Sequence, residues 1–234
     1  MHTIKLSPRL AAVAAFVGKG RVADIGTDHA QLPIWLVQNG SPAALASDIK
    51  EGPCQRARTN VYAWGLHGKV KVVLAAGLDA VDDFAPENIV IAGMGGEMIA
   101  SILDASDYPK ESGCRLVLQP QSMQDVLRRY LAENGFLITD ETVVLDGGKY
   151  YQVIAARYDG GVRSFESYEY KLGRLNIERC RSGLCEVDAK WLALQKSSAE
   201  RRVLGRADGH EDTEEQKCDR KLIALINELT KVRQ

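Results

Sequence analysis

Between residues 21 and 31 a short apolar run, Arg-Val-Ala-Asp-Ile-Gly-Thr-Asp-His-Ala-Gln, gives way to acids, one glycine and a histidine. Val22, Ala23 and Ile25 are β-compatible, so the segment reads as a strand buried in a parallel sheet, with Asp24 as the odd residue. A carboxylate at the carboxyl end of such a strand lies where open α/β sheets bind ligands, and ligand or backbone donors can offset its desolvation. Gly26 lets backbone approach a ligand with no Cβ in the way. A dinucleotide fingerprint needs three glycines, G-x-G-x-x-G, to bring a helix N-terminus to a pyrophosphate. This loop has one glycine between Asp24 and Asp28, which repel a pyrophosphate and suit a cation carrying an amino group and a sulfonium, such as S-adenosylmethionine. The plainer alternative is a strand-to-helix turn with Asp28 as the helix N-cap.

Three later strand ends extend the pattern. Residues 43–48 read as a second strand closing on Asp48, at the spacing a β-α-β unit requires for an acid that accepts both ribose hydroxyls. Its alternative is a helix cap. A third strand, 70–74, runs into Ala75-Ala76-Gly77-Leu78-Asp79, with Ala76 where many nucleoside sites place an acid against the adenine amino group. A fourth, 88–92, enters Gly93-Met94-Gly95-Gly96-Glu97, and three glycines in four residues imply backbone exposed to something bulky. Met98 occupies the third glycine position of a dinucleotide fingerprint, so the run reads instead as a substrate-facing loop opposite the methyl group, or as a tight packing turn. A fifth strand, 115–119, ends in Gln119-Pro120-Gln121, two amides able to read a base edge.

Elements to position these groups follow from pattern. Ser7-Pro8 opens an amphipathic helix stopped by Gly18 and Gly20, expected on the sheet edge. Helices are expected over 30–38, with Pro33 in the first turn, over 53–64, and from Glu97 to Leu103. Ser122 is expected to cap another, closed by Asn134-Gly135. Residues 142–145 and 150–157 flank Asp146-Gly147-Gly148-Lys149 as a hairpin, so a parallel sheet ends in an antiparallel pair. Around Gly160-Gly161 the character changes to helical apolar spacing, predicting a catalytic domain over 1–160 and a helical domain over 161–234. Two long helices, near 188–206 and 211–232, should pair antiparallel about Asp208-Gly209. The segment after residue 160 holds 15 Lys and Arg against 13 Asp and Glu, and the part before it 15 against 18. That asymmetry hints at a polyanion-binding arm with Arg201, Arg202 and Arg206 as its local cluster, against a solvated coiled coil.

Composition sets the outer bounds. With 234 residues, 45% hydrophobic and 26% charged, the chain has the make-up of an ordinary globular protein with a substantial core. A net charge of -1 excludes a strongly basic nucleic-acid coat, though not a local patch. Five cysteines without a C-x-x-C pair argue against a disulfide framework or a zinc site. The apolar stretch Leu10 to Val17 is too short to span a bilayer and no signal-peptide pattern is evident, which predicts a cytoplasmic location without membrane association.

Taken together, Asp24-Ile25-Gly26-Thr27-Asp28-His29-Ala30 with Leu32-Pro33, Gly52-Pro53, Ala92-Gly93-Met94-Gly95-Gly96 and Leu118-Gln119-Pro120 resemble the bacterial tRNA (adenine-22-N1)-methyltransferase family, from about Leu6 to Tyr158. The resemblance implies a Rossmann-like class I S-adenosylmethionine-dependent α/β fold and a carboxy-terminal helical coiled-coil domain that helps hold tRNA. It further implies methylation of N1 of an adenine in the D-loop region. Gln121 stands where the family commonly has asparagine. On this reading Asp24, Gly26, Thr27 and Asp28 face the methionine part of the cofactor. Asp48 and Ile49 lie at its ribose, Gly77 and Leu78 border its adenine, and Gly93 and Met94 adjoin it. Asp28, His29 and Gln119 are the expected polar groups at the target base. No metal is implied, and a monomer or weak homodimer is expected. The rival readings are a nicotinamide oxidoreductase, a small-molecule methyltransferase, and a non-catalytic RNA-binding module.

Overall fold

The computed structural model describes residues 4–204 and 213–231, in two compact units that divide between Ser164 and Phe165. In chain order the first unit contains α1 (Pro8–Phe16), β1 (Val22–Ile25), α2 (Gln31–Gln38), β2 (Ala44–Asp48), α3 (Glu51–Ala63), β3 (Val70–Leu74) and α4 (Val81–Phe84). It continues with β4 (Asn88–Gly95), α5 (Gly96–Asp104), α6 (Tyr108–Ser112), β5 (Arg115–Ser122), α7 (Gln124–Glu133), β6 (Phe136–Asp146) and β7 (Lys149–Tyr158). The seven strands lie in the order β3-β2-β1-β4-β5-β7-β6. β1 to β5 are mutually parallel, and β7 joins β5 antiparallel. The central strands are buried on both faces, as the apolar runs Val22–Ile25 and Ile89–Ile91 require.

Two apolar clusters, one on each face of the sheet, make the core. Ile89, Ile91, Leu116 and Leu118 meet Ile99, Leu103, Leu127 and Leu131 of α5 and α7. Val22, Val90, Val117 and Val153 meet Val13 of α1 and Ile34 and Val37 of α2. The first helix lies at the β6 edge of the sheet, as expected from sequence, and reaches over the face of β7 and β5, because Val13 and Ala14 fall on one side of it and need a flat apolar partner. The hairpin is longer than its β-branched segments suggested, and its turn uses Gly147 and Gly148 with φ of 55° and 76°. It is tied to α7 by a buried cluster, in which Arg128 donates to Glu141 at 2.5 Å and to Gln152 at 2.6 Å. Single removal of a partner from such a cluster strands a buried charge.

Two local expectations are corrected. Gly93 to Gly95 do not form a free loop. β4 continues through them and stays paired to β5, Met94 with Pro120 and Gly95 with Ser122, across a bulge. Nor does Ser122 cap α7: Ser122 ends β5, and Met123 occupies the cap position with a left-handed φ of 55°.

The second unit is all helical: α8 (Ser167–Leu172), α9 (Arg174–Ser182), α10 (Glu186–Leu204) and α11 (Glu214–Lys231). Leu222, Leu225, Ile226 and Leu229 line one face of α11 and are buried with Trp191 and Leu192 of α10. Arg202 near the end of α10 meets Asp219 near the start of α11 at 2.7 and 2.8 Å, as an antiparallel pair requires. Lys171 of α8 reaches the same carboxylate at 2.9 Å. The hairpin expected from sequence is thus buttressed by two short helices whose spacing is readable in Leu172 and Ile177. The basic cluster is revised: Arg202 is spent on the buried Asp219, Arg201 is exposed, and Arg206 and the Asp208-Gly209 turn lie outside the described residues.

Candidate functional site

Strands β1 to β5 bring the cavity-lining residues together at their carboxyl ends, beside the point where the strand order reverses between β1 and β4. The loop after β1 is pinned by backbone bonds: Gly26 and Thr27 N–H donate to the Ser47 carbonyl at 2.8 and 2.9 Å. Gly26 has φ of 77°, and a Cβ there would lie 2.1 Å from the Met94 methyl carbon. This glycine is required both by its left-handed backbone and by the methionine lying against it.

Two adjoining cavities share Gly26. The first, about 460 Å³, is lined by Asp24, Thr27, Asp28, His29, Gly93, Gln121 and Arg9. The second, about 500 Å³, is lined by Asp48, Ile49, Ala75, Gly77, Met94, Gly95, Met98 and Ile102. One is polar and charged. The other is walled by aliphatic and thioether groups around one carboxylate. Lys50 N–H donates to Asp48 Oδ1 at 2.8 Å and orients that carboxylate. Ile49 and Met98 are 68% and 58% exposed, apolar surface that a flat ring can cover.

In the first cavity Asp24 is 8% exposed. Burial pushes its carboxyl up to about 6, against the Thr27 hydrogen bond and the Arg9 charge, which pull it down. Asp28 is held differently. Arg56 of α3 donates to its Oδ1 from Nε at 3.2 Å, and His29 Nε2 lies 3.4 Å from its Oδ2. Asn60 fixes the His29 carbonyl at 2.9 Å. Asp28 does not cap α2, which begins at Gln31 with Ala30 as its cap at φ 51° and without a side-chain cap bond.

Two predicted site residues are placed elsewhere. Leu78 is 3% exposed, packed in the core with Ile99 and Leu103; the second cavity takes Ala75 and Gly77 from that turn instead. Gln119 is fully buried and absent from the cavity wall. Its amide donates to the Pro120 carbonyl at 2.9 Å and accepts from Arg9 Nη1 at 2.7 Å. Of the two glutamines, it is Gln121 that faces the cavity.

Sequence reading missed Arg9, along with Met98 and Ile102. α1 runs into the start of β1, so its amino terminus sits level with the strands' carboxyl ends. Arg9 is its second residue, and its backbone N–H, an orphan donor of the first turn, is taken by Asp146 Oδ2 at 3.2 Å. A cation at the positive end of a helix is the wrong sign for that helix. That mismatch is the signal that could have singled it out.

Among the described residues no group of three or more side chains is arranged to hold a metal ion, and no helix is long and apolar enough to cross a membrane. Residues 6–154 match a methyltransferase-domain family model. The chain is 34% identical over 177 residues, 75% of its length and 74% of the relative's, to the tRNA (adenine(22)-N(1))-methyltransferase of Bacillus subtilis. A solved structure of the B. subtilis m1A22 tRNA methyltransferase superposes with a TM-score of 0.79 at 28% identity, covering 97% of this chain and 99% of that one. A Streptococcus pneumoniae protein solved in complex with S-adenosyl-L-methionine superposes with a TM-score of 0.80 at 33% identity, covering 96% and 99%.

Proposed function

The chain belongs to the tRNA (adenine(22)-N1)-methyltransferase family, and we propose that the two cavities meeting at Gly26 are where it carries methyl from S-adenosylmethionine to N1 of adenine 22 in tRNA. The observation that carries this is the division of the site. A charged cavity holding a buried carboxylate adjoins an apolar cavity with one carboxylate, which fits a ligand with an ionic amino-acid end and a purine nucleoside. Asp24, Gly26 and Thr27 hold the first part. Asp48 would hold the ribose, and Ile49, Met94 and Met98, with Gly77 and Gly95, would hold the purine.

S-adenosylmethionine supplies an electrophilic methyl group on a sulfonium. Adenine N1 already carries a lone pair, so no base is needed to create the nucleophile, and the protein's part is alignment, exclusion of water and support of a cationic product. Asp28 is suited to that support, because Arg56 and His29 fix its carboxylate on the cavity wall. His29 lies beside it on the same cavity wall, and Gln119 acts through Arg9 as a positioning residue. The target base must be unpaired or flipped to enter, at a cost of about a few kcal/mol. In this reading the helical unit contributes tRNA contacts, and the protein works in the cytoplasm as a monomer or weak homodimer, which sedimentation at working concentration checks.

The test is methyl transfer from labelled cofactor to unmodified tRNA, with the product nucleoside identified and an A22→G tRNA as control. N1-methyladenosine, lost with that substitution, is expected. Label in another nucleoside would overturn the positional assignment. Cofactor binding with no transfer to any tRNA would favour a small-molecule substrate.

A further inference from the structure

Two glutamines flank Pro120, and they are held very differently. Gln119 is fully buried, its amide nitrogen donating to the Pro120 carbonyl and its oxygen accepting from Arg9. Gln121 is exposed, lies on the wall of the charged cavity, and its amide has no hydrogen-bond partner among the described residues. It stands near the end of β5, a strand that gives no residue to the wall of the apolar cavity. The amide is therefore on the side of the site away from the cofactor's purine. Beside it the chain of β4 is bare at Gly93, where φ is 84°. A Cβ there would fill the gap, lying 3.7 Å from Gln121 Nε2 and 3.9 Å from Arg9 Nη1. Without one, a flat ring has room against the backbone with an edge turned to the amide.

We propose that Gln121 selects the target adenine by its Hoogsteen edge, the amide oxygen accepting from the 6-amino group and the amide N–H donating to N7. This rests on the reading of the site given above and assigns the group that tells one base from another there. A carboxamide presents an acceptor beside a donor, so it matches an edge that offers a donor beside an acceptor. Adenine has two such edges. The Watson–Crick edge must stay open, because N1 receives the methyl group and its lone pair cannot be engaged. The edge formed by the 6-amino group and N7 is left, and it is the pair that a glutamine holds with two bonds. Guanine offers two acceptors there, O6 and N7, and sets an oxygen against the amide oxygen. Asp28, an acceptor only when ionised, cannot supply the bond to N7.

The experiment gives the full-length protein two tRNAs, one with adenine at position 22 and one with 7-deazaadenine, which keeps N1 and the 6-amino group but has C–H in place of N7. Methyl transfer to N1 of the natural base by the wild type tests the underlying reading, and its absence would sink that reading and the proposal together. For the wild type, kcat/KM on the 7-deaza tRNA should be about 10- to 100-fold lower. That comparison needs no variant, so misfolding cannot imitate it. In Gln121→Leu the natural tRNA should lose a similar factor, the two tRNAs should differ by no more than about threefold, and affinity for S-adenosylhomocysteine should stay within about threefold of the wild type. A wild type that methylates both tRNAs equally well overturns the proposal and leaves the reading of the site intact. A variant that keeps the full discrimination does the same. Loss of cofactor affinity by about tenfold or more in Gln121→Leu assigns the amide to the cofactor and likewise overturns the proposal.

Discussion

Asp24 shows how function is set against stability within one side chain. Its carboxyl is raised from 3.8 to about 6, first by burial. A folded-state value above the unfolded one means that the protonated acid stabilises the fold below about pH 4, and that this contribution is lost as pH rises through about 6. Ionised Asp24 therefore costs the ligand-free protein about 3 kcal/mol at neutral pH. Asp24→Asn should raise the melting temperature of the cofactor-free protein by several degrees at pH 7.5 and leave it little changed at pH 4. The same substitution should weaken cofactor binding at least about tenfold. Calorimetry and titration on one preparation check both, and a variant neither more stable nor weaker in binding would sink the account. Asp28 is a different kind of acid, exposed and held between Arg56 and His29. Asp28→Asn should lower kcat about 10- to 100-fold with cofactor affinity within about threefold. Full turnover in both Asp28→Asn and His29→Ala, with cofactor bound normally, would remove the pair from the base-facing role.

At the scale of elements, the decisive feature is how closely the ends of β4 and β5 approach one another. The pairing of Met94 with Pro120 and Gly95 with Ser122 carries the sheet past its regular register and into the site. α5 begins at Gly96, where a Cβ would lie 2.0 Å from the Met123 carbonyl oxygen. That neighbour is backbone and cannot swing aside, unlike the flexible Met94 end that faces Gly26. Gly96→Ala should therefore destabilise the protein by about 1–3 kcal/mol, read by urea denaturation, and should raise the KM for both substrates by moving Gly93 relative to Gln121. A variant of wild-type stability would show that this approach is not constrained. The glycine cluster was legible as a place of close contact from sequence alone. That it is strand, bulged and still paired, was not, since glycine has no β-propensity to advertise it and the partner, Pro120, reads as a strand breaker.

For the molecule as a whole, the two units have separate cores. The clusters on both faces of the sheet are built from residues of the first unit only, and the buried face of α11 packs within the second. A chain ending at Ser164 should fold and bind S-adenosylhomocysteine within about threefold of the full protein; if, as proposed, the second unit is a linked tRNA-binding surface, turnover on tRNA should fall by about two orders of magnitude or more. Full activity of the shortened chain would assign tRNA recognition to the first unit alone.

The division between sequence and fold runs along a physical line. The residue run from Asp24 to His29 points to a cationic ligand and the acid at Asp48 to a nucleoside because their chemistry is local: charge, hydrogen-bonding type and backbone freedom belong to the residue wherever it sits. The parallel order of the sheet and the switch to helices after Gly160 are legible for the same reason, since hydrophobic period is a local property. What surrounds those residues depends on contacts between distant segments. Only the tertiary structure turns Gln119 away from the cavity and Gln121 into it, buries Leu78 and spends Arg202 on Asp219. It also brings Arg9, from a helix that precedes the first strand, into the cavity beside Asp24. A side chain's type fixes which bonds it can make; packing decides which of them it has left to offer a ligand.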